Sequence, residues 1–191
     1  MFKRLIAIVM FCVLPYLSAQ ASEESSVAQR EDAPVLRAVL QSQCQSNNGY
    51  VILSSKAVAP GAAADIGGAD ESGAFDDLKR RNMSAVSLPG GLSCRGVQLR
   101  EDKEIQAFSE PLHEVAGKIS LGEGWKKMHE SLPGATGWMS VSLPGYAPSR
   151  DVAVVYVVLH CGSLCGQGAY VYLHRINGQW KALVRFPVWV T

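Results

Sequence analysis

The sequence predicts an α+β domain: a four-stranded antiparallel C-terminal meander with helices from the N-terminal half packed on one face. Apolar residues recur at helical spacing as far as Pro133, and from Trp138 onward the repeat shortens to two. The links between the four late apolar runs are also too short to hold a parallel crossover, which leaves hairpins.

The helices are read from caps and periodicity. Asp32 is placed to cap a helix with Pro34 in its first turn, and Val35, Leu36, Val39 and Leu40 form its apolar stripe up to about Cys44. Asn47, Asn48 and Gly49 break it, and Tyr50 to Leu53 read as a short strand. Pro60 to Gly73 has Ile66 as its only large apolar residue and is expected to loop out. Phe75, Leu78 and Met83 suggest a short helix with Asp76 and Asp77 early and Lys79, Arg80 and Arg81 late, an order that suits the helix dipole. The basic triplet reads as a solvated last turn rather than an anion site. Val97 and Leu99 alternate as a strand, and Asp102 is placed to cap a helix carrying Ile105 and Phe108. Trp125, Met128, His129 and Leu132 share one helical face before Pro133 and Gly134, which predicts that His129 lies at a core margin.

The four strands are Trp138 to Leu143, Asp151 to Leu159, Ala169 to Arg175 and Trp180 to Val190, the last two joined by an Asn177-Gly178 turn. Val152 to Val158 is almost wholly apolar and belongs near the sheet centre. Pro187 cannot donate to a ladder, so the last strand is expected at an edge or to carry a bulge before Trp189.

Lys3 and Arg4 precede an apolar run from Leu5 to Leu17, and Ala19 and Ala21 stand at the −3 and −1 positions of a cleavage site before Ser22. Residues 1–21 therefore read as a secretory signal, 22–32 as a flexible polar leader and 33–191 as one domain. The run is too short to span a bilayer, which takes about 20 residues, and no later stretch is longer. Losing Lys3 and Arg4 takes the formal net charge from +1 to −1, and no lysine or arginine block is long enough to track a phosphate backbone. Nucleic acid is not an expected partner.

Cys12 leaves with the signal, and the other four cysteines allow three pairings. The short spacing of Cys161 and Cys165 around Gly162 favours a local bridge and leaves Cys44 with Cys94.

The densest grouping is His160-Cys161-Gly162-Ser163-Leu164-Cys165-Gly166-Gln167-Gly168, between the second and third late strands. Glycines and a bridge make a pinned turn. The C-x3-C spacing lacks a second cysteine pair for a tetrahedral metal shell and is not the C-x-x-C of a redox helix. Ser163 has no G-x-S-x-G context, and Cys165 could serve as a nucleophile with His160 or His174 only outside a disulfide. No metal or cofactor is implied. The expected binding rim is His160, Ser163 and Gln167, together with an exposed sheet face bearing Tyr170, Tyr172 and His174.

The Cys161-to-Tyr170 loop, the Asn177-to-Lys181 turn and the end at Trp189-Val190-Thr191, with the preceding helix and strand, resemble a family of small exported bacterial proteins of uncharacterised function. That family shares a C-G-x-L-C-G-x-G-x-Y loop, a G-x-W turn and a terminal W-[IV]-[ST]. The resemblance covers roughly residues 122–191 and implies a bacterial secreted domain, with no catalytic residue to carry over. The expected function is a periplasmic or secreted non-enzymatic module that binds a protein or small ligand. An inhibitor or immunity-like protein is a related reading, and an envelope hydrolase using Cys165 or Ser163 with a histidine is the rival.

Overall fold

The computed structural model describes residues 14–60, 72–108, 114–115, 118–119 and 122–191. Most of the expected Pro60-to-Gly73 loop, and Cys12, lie outside the described residues. In chain order the elements are α1 (Leu14–Cys44), β1 (Tyr50–Ser54), α2 (Ala74–Arg81), β2 (Val97–Arg100), α3 (Asp102–Gln106), β3 (Glu114–Val115), β4 (Lys118–Ile119), α4 (Glu123–Ser131), β5 (Ala135–Val141), β6 (Gly145–Tyr146), β7 (Val152–Gly162), β8 (Cys165–Ile176) and β9 (Gln179–Val190).

The fold is α+β, and its main sheet is larger than the four strands expected. Seven strands form one mixed sheet in the order β2-β1-β5-β7-β8-β9, with β6 also beside β7, and β3 and β4 form a separate ladder. β5, β7, β8 and β9 are the antiparallel meander; β1 runs parallel to both β2 and β5. The parallel pairings arise because α2 and then α3 and α4 supply the crossovers that a parallel connection needs. Val51, Ile52 and Leu53 are buried in succession, as residues of a strand covered on both faces are.

Helices cover both faces, not one. Val35, Leu36 and Leu40 of α1 pack with Val51, Leu53, Val97, Met139, Val155 and Leu173. Residues of opposite parity face away from α1: Ile52 and Trp138 meet Ile105, Phe108 and Met128, while Val154, Tyr156 and Tyr170 meet Ala74 and Leu78. The strict period of two is what divides one sheet between these cores.

Several local expectations are corrected. α1 begins well before Asp32 and passes through the segment read as a leader, with Pro34 inside it. Asp32 is not a cap: the residue is buried, and its carboxylate is engaged by Arg81 and Tyr146. Arg81 is accordingly not a solvated end of α2, and Met83, beyond that helix, is 85% exposed. Asp102 is the first residue of α3 after the cap residue Glu101, and accepts from Ser54 Oγ at 2.8 Å. His129 faces solvent while Met128 beside it is buried.

The turn and edge readings hold. Asn177 and Gly178 have φ of 52° and 77°, the left-handed pair that a tight hairpin needs. β9 is the edge strand, and its register with β8 shifts where Pro187 and Trp189 face Ala169 and Gly168.

Candidate binding rim

β7 and β8 meet at a turn whose closing pair is Gly162 and Cys165. Cys161 and Cys165 are bonded across it, with Cα atoms 5.0 Å apart. Ser163 and Leu164 form the tip, and Leu164 is 76% exposed. The tip leans toward the start of α4: a Cβ at Gly122, whose φ is +100°, would stand 3.2 Å from Ser163 Oγ. The second bridge, Cys44–Cys94, joins the end of α1 to the loop before β2, with Cα atoms 5.5 Å apart.

Below the turn, aromatic rings continue along the face opposite α1. Trp125 of α4 stacks on Trp138 of β5 at 4.3 Å and 15°. Trp138 lies 5.3 Å from His160, and His160 lies 6.1 Å from Trp189. Trp189 Nε1 donates to the Tyr156 hydroxyl at 2.9 Å, and Tyr156 packs 5.0 Å from Tyr170. This arrangement requires Gly168, because a Cβ there would meet Trp189 Nε1 at 2.1 Å and the Tyr156 hydroxyl at 2.7 Å. The chain end is tied in by Thr191 N–H, which donates to the Gly166 carbonyl at 2.9 Å.

His160 is half-buried between Trp138 and Trp189, and burial holds its imidazole below its ordinary pKa. Neither ring nitrogen has a hydrogen-bond partner among the described residues. A neutral imidazole between indoles is suited to contact and hydrogen bonding.

The expected site residues divide into separate groups. His160, Ser163 and Gln167 lie at the bridged end of the β7–β8 hairpin, while His174 pairs with Val152 at the other end. The eight steps from Gly166 to His174 extend about 27 Å at about 3.4 Å each, so the two histidines do not share a site. Tyr170 is wholly buried under Phe75 of α2, and Tyr172 is half-buried against Phe186, so no exposed tyrosine face exists there. The Tyr170 phenol is pushed up to about 12 by burial, then by the neighbouring phenols of Tyr156 and Tyr172. Its hydroxyl has no hydrogen-bond partner among the described residues.

Cys165 is consumed by its bond to Cys161 and offers no thiolate in this state. Ser163 has no histidine partner among the described residues. Sequence reasoning omitted Trp125, Trp138, Tyr156 and Trp189 from the rim. The signal for two of them was the even-numbered aromatic positions on β5 and β7, which place Trp138 and Tyr156 on the face that also carries Tyr170 of β8.

Fold and rim together define an α+β domain built on a mixed seven-stranded sheet, pinned by two disulfides and carrying a bridged hairpin beside an aromatic cluster. No family model, curated protein or solved structure matches the chain. Two bonded cysteine pairs are compatible with an oxidising extracellular compartment, and no described helix is long and apolar enough to cross a membrane.

Proposed function

We propose that this chain is an exported, non-enzymatic binding module of the periplasm or cell exterior that presents the β7–β8 hairpin to a cleft on a partner protein, as an inhibitor or immunity-like protein does. One observation carries the reading: Leu164, 76% exposed, stands at the tip of a two-residue turn closed by the Cys161–Cys165 bond. A large apolar side chain held on a covalently closed turn loses little conformational freedom on docking, so more of its burial is retained as affinity. The aromatic layer at His160, Trp138 and Trp189 supports the base of the turn and limits how far it bends. The apolar run and small-residue cleavage pattern at residues 1–21 supply the export part of the proposal.

A photo-crosslinking residue at position 164, with position 83 as an equally accessible control, tests this in intact cells. A discrete protein adduct is expected from position 164 alone, and is lost when Cys161 and Cys165 are both changed to alanine. The same adducts from both positions, or none from position 164, overturn the proposal.

A further inference from the structure

β9 is bare to a degree that its apolar content does not explain. Of its twelve residues only Trp180 is buried, while Leu183, Val184, Phe186 and Val190 are 53%, 47%, 37% and 72% exposed. It is the last strand of the sheet, so one row of its backbone groups has no strand partner. On one face, beside the contact of α1 with Trp180, a groove of about 620 Å³ lies between Val39 and Ser42 on the helix and Ala182, Leu183 and Arg185 on the strand. On the other face Phe186 rests edge-on against Tyr172 at 5.4 Å and remains in contact with solvent.

Charge identifies what suits this edge. Lys181 and Arg185 have no carboxylate partner among the described residues, and the groove lining contains no acidic side chain. Arg185 is partly covered without a counter-ion, and that desolvation pulls its guanidinium below its ordinary value. The register of β9 with β8 skips Leu183 between Ala182 and Val184, so Lys181, opposite His174, and Arg185, opposite Val171, place a cation on each face of the edge. Pro187 has no N–H and marks where an added ladder must end.

We propose that Gln179–Arg185 accepts an extended, acidic segment of a partner protein as an added strand, its apolar side chains filling the α1–β9 groove and its carboxylates pairing with Lys181 and Arg185. Main-chain bonds along the open edge supply binding, and the two cations with the groove supply selection. This stretch pairs with Val171–Ile176, at the opposite end of β8 from the bridged turn, so it stands independently of the hairpin reading.

The test is a titration of the isotopically labelled, oxidised protein with a short blocked peptide of valine, threonine and glutamate, followed by amide chemical shifts. Shifts are expected at Gln179–Arg185 and along Ala38–Gln45. Affinity should fall about tenfold or more for Arg185→Glu and to an intermediate level for Arg185→Gln. A backbone N-methylated peptide, or one with lysine for glutamate, should not bind. Equal binding of the lysine peptide, shifts confined to other surfaces, no binding, or concentration-dependent shifts of the same amides in the free protein would each overturn the proposal.

Discussion

Arg81 and Asp32 face each other as a two-pronged ion pair, Nη1 to Oδ1 and Nη2 to Oδ2 both at 2.9 Å, across 49 residues of sequence. Their side chains are 11% and 5% exposed, and the Tyr146 hydroxyl donates to the same carboxylate at 3.0 Å. The pair fastens α1 to the end of α2 and to β6. Removing one member strands the other charge out of water, so Asp32→Ala is expected to cost about 3–5 kcal/mol. Asp32→Ala combined with Arg81→Met should cost less than Asp32→Ala alone. Urea unfolding of both variants checks this.

Glu31, one residue earlier, receives the Trp180 indole N–H at 2.9 Å and pairs with Arg175. Burial alone would raise its carboxyl, but the hydrogen bonds from Trp180 and Arg175 and the charge of Arg175 hold it below its ordinary 4.5. A carboxyl lowered on folding adds stability above its unfolded value and loses it as pH falls through the folded one. Wild-type stability should therefore drop below about pH 4.5 more steeply than that of Glu31→Gln. Denaturant midpoints across this range measure the difference.

The buried Tyr170 hydroxyl offers a substitution expected to be harmless. Its desolvation is uncompensated, so Tyr170→Phe should be neutral or up to about 1 kcal/mol more stable. A loss above that range in thermal unfolding would mean that the hydroxyl has a partner.

The two bridges should contribute unequally. Cys44–Cys94 spans 50 residues and Cys161–Cys165 spans 4. Loop-closure entropy gives about 4 kcal/mol for the first and about 2 kcal/mol for the second. Paired cysteine-to-alanine variants, compared by chemical denaturation, should rank in that order.

Gly168→Ala should displace Trp189 from Tyr156, since the added carbon would overlap the indole. A cost of about 1–3 kcal/mol is expected from overpacking, with a change in tryptophan emission as the local signature.

Much of the fold was legible where a single period dominated. The four late strands, the Asn177-Gly178 turn, the edge position of Pro187 and both cysteine pairings follow from alternation, turn chemistry and spacing. The parallel half of the sheet was not legible. Tyr50–Ser54 and Val97–Arg100 read as strands, but nothing local says that they join the meander, because their partners are set by helices packed between them. Asp32 misled because a carboxylate near a proline has the local signature of a cap, while its actual partners, Arg81 and Tyr146, lie 49 and 114 residues away. Of the candidate rim, the bridged turn and His160 were visible in one short segment. Tyr170 was misplaced because alternation assigns a residue to a face without showing that α2 covers it.

The contacts of Glu31 also bear on the timing of folding. Trp180 lies 149 residues downstream, and Arg175 is nearly as far, so these contacts of α1 cannot form until almost the whole polypeptide exists. β7 likewise lacks an outer neighbour until β8 has been synthesised. The anchoring of α1 at Glu31 is therefore completed only when the hairpin of β8 and β9 is in place.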